Sequence, residues 1–183
     1  RIAQNTLDTD RAFTDRAAIE ARASALRVAA GVGDAPLLVS IGRMIARKRP
    51  FDLLEAWPRL REFDPRLKLV LVGAGPLSEE IRRRANEVDR ERILVTGSVP
   101  PGDDEAWLAA ASLVVLPGAL GLAINQALAL GRPTIVADEP GADAEILEHG
   151  ITGWRYPRGD LAALAASVQH VLEDASERER VTD

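Results

Sequence analysis

Cysteine is absent from the 183 residues. That removes disulfides, thiol nucleophiles and thiolate metal sites, and it suits a reducing compartment, so the cytoplasm is the expected location. Lysine is almost missing as well: Lys48 and Lys68 stand alone among 23 basic residues. The two histidines, His149 and His170, lack metal-ligand spacing, and no nucleophile with an adjacent base can be assembled from the sequence. Aromatic residues make up only 4% and the net charge is −5. The chain therefore has neither the basic field that phosphate backbones demand nor the stacking platforms of single-strand binders, and no nucleic-acid partner is expected. A charged-then-apolar leader is lacking too, and the first residue is Arg1, so a fragment, or a chain without its true start, is expected.

What is present is the mixture of an ordinary globular protein, 46% hydrophobic and 28% charged. The length predicts one domain over 1–183, with a polar, frayed tail over 175–183. The longest uncharged run, Ala106 to Gly131, has membrane-spanning length, but Pro117, Gly118 and Gly121 interrupt it, which predicts a buried strand, a turn and a buried helix.

Short continuous apolar runs recur at 36–41, 67–72, 93–96, 112–117 and 133–137. Such runs are those of strands buried on both faces, hence of a parallel sheet. Segments with helical spacing lie between them: Phe51, Leu54, Trp57 and Leu60; Leu77 and Ile81; Trp107 and Leu108; Leu122, Ile124 and Leu128. An Ala-rich helix is expected before the first strand, ending at Gly31 or Gly33, and an amphipathic one after Asp160. Pro50 and Pro76 sit where a helix's first turn tolerates a missing donor, and Gly131 with Pro133 marks a helix stop. The alternation predicts an α/β fold, an open Rossmann-like parallel sheet with helices on both faces.

In such sheets ligands bind outside the carboxyl ends of the strands, so the loops after the apolar runs carry the candidates. "SIGRMIARKRP" (40–50) runs from a strand into Gly42, then Arg43 and Lys48. A fork and a point charge placed there suit a diphosphate, although a solvated basic turn has the same composition. "LVGAGPLSEE" (71–80) carries Gly73 and Gly75, but Ser78 and Pro76 spoil a dinucleotide fingerprint; a tight turn against a ligand or a neighbouring loop needs the same glycines. "VTGSVPPGDDEAW" (95–107) places Gly97, Ser98 and Val99 after a strand, while Asp103 and Asp104 complement a helix N-terminus. "PGALGLAINQALALGRP" (117–133) turns through Gly118, Ala119, Leu120 and Gly121 into a helix at Leu122, whose free amides can hold an anion with no charged side chain. A buried helix with a tight entry turn is the plainer alternative.

Taken in order, "AQNTLDTDRAF", "SIGRMIARKRP", "LVLVGAGPL", "VTGSV", "PGALGLAINQALALGRPTIVAD" and "PGADAEILEHGITGW" resemble the C-terminal half of a retaining GT-B glycosyltransferase of glycosyltransferase family 4. The resemblance covers nearly the whole chain. It implies a donor-binding domain for a nucleotide-diphosphate sugar, with 1–12 as interdomain segment and a separate N-terminal acceptor domain as partner. It implies no cofactor, no metal and, for the full-length enzyme, peripheral membrane association. Arg43 and Lys48 match the basic pair that neutralises the leaving diphosphate. Gly118 to Leu122 match the loop holding phosphate and sugar, Gly97 to Val99 the segment bordering the base, and Glu145 a common family Glu. The family's Glu, seven residues, Glu pattern is replaced by Gly118 and Gln126; Gln126 can still bond a ribose hydroxyl, but not as a carboxylate does. This departure is that of a variant subgroup. A GT-B sugar-nucleotide epimerase and a non-catalytic nucleotide-binding domain are the alternatives. The reading requires phosphate oxygens to meet unpaired amides between Gly118 and Leu122, facing Arg43 and Lys48.

Overall fold

A computed structural model describes residues 15–138, 147–176 and 181. The chain begins with α1 (Arg16–Ala29) and β1 (Leu37–Ile41), then a single 3-10 turn (Ala46–Lys48) and α2 (Pro50–Phe63). There follow β2 (Lys68–Val72), α3 (Ser78–Asp89), β3 (Ile93–Gly97), α4 (Asp103–Ala110), β4 (Leu113–Leu116), α5 (Leu122–Ala129), β5 (Thr134–Ala137), β6 (Trp154–Tyr156) and α6 (Leu161–Glu173). All six strands pair in parallel, in the order β3-β2-β1-β4-β5-β6. Strand β1 is central, with Val39 paired to Val70 on one side and to Val114 on the other.

The two faces of the sheet follow from the two-residue side-chain period of a strand. Leu38, Leu69, Leu71, Leu113, Val115, Ile135 and Tyr156 point to one core, completed by α2, α3 and α6. Leu37, Val39, Val70, Val72, Val114, Leu116 and Val136 point to the other, completed by α1, α4 and α5. Both faces being covered explains why the strands read as continuous apolar runs. The result is the Rossmann-like α/β sheet expected from the sequence.

The uncharged run 106–131 divides into the end of α4, all of β4, a turn and α5. Among the described residues no helix is long and apolar enough to cross a membrane. Pro50 is the first residue of α2 as expected, but Pro76 precedes α3 by two residues, in the turn closed by Ser78 N donating to Gly75 O at 3.0 Å. Strand β6, absent from the sequence expectations, forms the edge of the sheet. The described part of α1 runs Arg16–Ala29, short of Gly31. Glu145 and the segments 1–12 and 177–180 lie outside the described residues.

Two polar clamps fasten the outer helices. Arg22 of α1 forks onto Asp103 at the start of α4, at 2.7 and 3.1 Å. Arg27 donates to the carbonyls of Ala110, Gly33 and Ala35, so one guanidinium joins the C-terminus of α4 to the turn that enters β1.

Candidate functional site

Strand order reverses at β1, whose successors β2 and β3 lie on one side and β4, β5 and β6 on the other. A crevice opens at such a switch point, at the carboxyl ends of the strands. Here it is bounded by the loop after β1, which carries Arg43 and Lys48, and the loop after β4, residues 117–121. The sequence places its two candidate loops, 72 residues apart in chain order, at this one crevice.

The loops are in direct contact. Lys48 Nζ donates to the carbonyl of Leu120 at 2.7 Å, and the amide of Ala119 donates to the carbonyl of Arg47 at 3.0 Å. Gly118 makes this approach possible: a Cβ there would be driven into the Arg47 carbonyl and would lie 2.9 Å from Lys48 Cα. The Lys48 stem crosses Gly42, and its ammonium ends 3.3 Å from where a side chain of Gly121 would begin. Lys48 thus spans from the end of β1 to the start of α5. Arg43, Lys48, Gly118 and Ala119 line one cleft of about 20 Å³. That is room for roughly one water, so a diphosphate would lie across its rim. Arg43 is exposed; its carbonyl accepts from Ile45 N at 2.9 Å, and its guanidinium makes no ion pair or hydrogen bond among the described residues.

One expectation needs correction. The amides between Gly118 and Leu122 are not all unpaired, because Arg47 takes that of Ala119. The physical reason is the loop contact that Gly118 permits. The amides of Gly118, Leu120, Gly121, Leu122 and Ala123 have no acceptor among the described residues, and the last three lie at the helix start. Gly121 caps α5 with φ 66° and no side-chain cap bond. A left-handed cap suits glycine and leaves the first-turn amides facing outward, the arrangement in which a helix start binds an anion. Leu122 beside it is 42% exposed, an apolar contact surface on the rim. Gln126, one turn on, is half-buried, and its side chain has no hydrogen bond among the described residues.

Gly73 and Gly75 answer the choice left open in the sequence. A Cβ at Gly73 would lie 3.0 Å from the Gly42 carbonyl carbon, and one at Gly75 would lie 2.9 Å from Met44 N. Their backbone is held against the β1 loop, with Met44 N donating to Ala74 O and Leu77 N to Met44 O. The glycines therefore serve loop-on-loop packing, which fixes Arg43 and Lys48 from behind. Gly97 closes the same edge: its carbonyl accepts from Gly73 N at 2.9 Å and from the Thr96 hydroxyl at 2.8 Å, and Ser98 is exposed beyond it.

Arg49, next to Lys48, is a non-glycine residue with φ 51°. It turns the chain from the 3-10 segment into α2, and its guanidinium is held by Asp52 at 2.8 Å. That hydrogen bond raises the guanidinium pKa above its ordinary value. Sparsely populated backbone of this kind persists where the surroundings enforce it, often at sites. Sequence patterns gave no sign of this residue. Asp103 and Asp104 serve structure, the first through Arg22 and the second by accepting from Gly102 N at 3.1 Å. His149 Nδ1 accepts from Arg155 N at 2.9 Å, a structural role.

A larger hollow of about 680 Å³ lies at the opposite, amino edge of the sheet, lined by Pro36, Ser112 and Pro133 at the strand starts. Its cations are engaged: Arg27 with three carbonyls, Arg66 with Asp64, Arg132 with Glu20. Size does not make it the site, since the ligand edge of such a sheet is the carboxyl one.

Fold and crevice together define a Rossmann-like α/β domain whose switch point carries Arg43 and Lys48 beside the start of α5. The family model described as glycosyl transferases group 1 matches residues 35–174, and the chain belongs to that family. It is 32% identical over 179 residues to the GDP-mannose-dependent alpha-(1-6)-phosphatidylinositol monomannoside mannosyltransferase of Mycolicibacterium smegmatis, covering 92% of this chain and 46% of that protein. It is 28% identical to the alpha-D-kanosaminyltransferase of Streptomyces kanamyceticus, covering 90% of this chain and 43% of that one. The chain thus spans somewhat under half the length of these relatives. Among solved structures, Anabaena HepE in complex with UDP-glucose superposes with TM-score 0.82 at 22% identity, over 100% of this chain and 50% of that one. The C-terminal domain of a Francisella tularensis group 1 glycosyl transferase gives 0.74 at 17% identity, over 90% and 87%. These likenesses establish the fold.

Proposed function

We propose that the chain is the donor-binding domain of a glycosyltransferase that moves a sugar from a nucleotide-diphosphate sugar to an acceptor with retention. The observation that carries this is the junction of the β1 and β4 loops, where Lys48 reaches the N-terminal cap of α5. Family membership and relatives named as sugar transferases support it.

The chemistry follows from charge. As the bond from sugar to diphosphate breaks, negative charge grows on the leaving oxygens. Fixed donors aimed at that charge lower the barrier, because they need no reorganisation at the moment of reaction. Arg43 supplies a fork, Lys48 a point charge, and the amides of Gly121 to Ala123 a helix-end dipole. Ser98 and Val99 border the base, and Gln126 bonds the ribose. The donor set is complete in cations and amides, so the reading includes no metal and no cofactor. The acceptor comes to a second, N-terminal domain, and the full-length enzyme works at the cytoplasmic membrane surface.

Thermal-shift titration with UDP, GDP and ADP sugars tests the donor role, since a ligand that binds only the folded state must stabilise it. A dose-dependent rise in Tm with at least one of them is expected. No rise with any would leave an interaction domain instead.

A further inference from the structure

The carboxyl edge beyond the phosphate crevice carries a cation that the mechanism does not use. Arg82 lies in the second turn of α3. Helical side chains lean toward the helix N-terminus, which for α3 is the ligand edge of the sheet. Its Nη2 lies 3.7 Å from where a Cβ of Gly97 would stand, so the guanidinium covers the space that this glycine leaves open. It has no ion pair or hydrogen bond among the described residues, whereas Arg83 beside it is tied to Glu87 at 2.6 Å. The peptide beneath is rigid, because Gly73 and Thr96 both donate to the Gly97 carbonyl. An exposed guanidinium over a pinned turn, next to exposed Ser98, is built to meet a planar polar group.

We propose that Arg82 selects the nucleobase of the donor by hydrogen bonding to a ring carbonyl oxygen. This rests on the nucleotide-sugar reading above and extends it to the base. A guanidinium only donates, so it suits the paired acceptors of guanine or the carbonyls of uracil. The exocyclic amine of adenine offers it another donor and is disfavoured.

The test is calorimetric titration of the chain and its Arg82→Ala and Arg82→Gln variants with GDP, UDP, ADP and inorganic pyrophosphate. Wild type is expected to bind GDP or UDP about 10-fold or more tighter than ADP, the scale of one charge-assisted bond. The stronger of the two identifies the base. Arg82→Ala should bring that ratio toward one and leave pyrophosphate affinity unchanged, and Arg82→Gln should move it toward ADP, because an amide both donates and accepts. Equal binding of all three nucleotides by wild type, an unaltered ratio in Arg82→Ala, or an equal loss of pyrophosphate affinity would overturn the proposal. Absence of any nucleotide binding by wild type would overturn the donor reading with it. Binding that ignores the Arg82 substitutions would leave that reading standing and remove only this one.

Discussion

Lys48 is the residue on which the site turns, because its ammonium both touches the Leu120 carbonyl and faces the start of α5. Replacing Lys48 or Arg43 by alanine is expected to cut transfer in the full-length enzyme by about 100-fold or more, the scale of losing one transition-state donor. Steady-state kinetics checks this, and unchanged turnover in both would remove them from the site. Gly118 makes a different prediction. Any side chain there meets the Arg47 carbonyl, so Gly118→Ala should cost about 1–3 kcal/mol through overpacking and lower Tm by several degrees in a denaturation scan. Gly118→Glu should not restore a carboxylate function, since the 3-10 turn occupies its place. That Arg43, Lys48 and the Gly118–Gly121 turn follow strand ends was legible in the sequence. The pairing of Ala119 with Arg47 was not, because it joins main-chain atoms of segments distant along the chain and leaves no mark on residue type.

At the level of elements, five strands were visible within a residue or so of their ends: β1, β2, β4 and β5 are covered on both faces, which turns them into apolar runs, and β3 at the edge keeps an apolar run although Leu94 is exposed. Strand β6 escaped: three residues with a half-buried arginine at their centre give no such run. The clamps between helices were equally hidden, since an arginine on a helix face does not announce its partner. Arg27→Ala removes a guanidinium shared by three carbonyls, and should lower Tm in a melting experiment while nucleotide affinity, read at the far edge of the sheet, stays unchanged. Asp89 joins α2 to α3, accepting from Trp57 and from Arg92, each at 3.2 Å. Burial would push its carboxyl up, but these hydrogen bonds hold it below its ordinary value. Arg66 does the same for Asp64 through its hydrogen bond. A depressed carboxylate pKa contributes stability that is present above the unfolded value of about 3.9 and is lost as pH falls through the folded one. Denaturant midpoints should therefore be level near neutrality and fall below about pH 4, and Asp89→Asn should flatten that fall.

As a whole, the molecule is one parallel sheet with its candidate site at the carboxyl edge, and it spans somewhat under half of its curated relatives. On the proposed function, this polypeptide alone should bind donor and transfer nothing, while the full-length enzyme should keep its activity in EDTA. Transfer by the chain alone, followed with a labelled donor, would show that the acceptor domain is dispensable. The most direct trial of the central claim is an NMR titration of the chain with GDP or UDP, following its backbone amides. The largest shifts are expected at Gly121, Leu122 and Ala123 and in the loop from Gly42 to Lys48. Shifts confined to the opposite edge, around Arg27, Ser112 and Arg132, would place the ligand in the larger hollow and contradict the account.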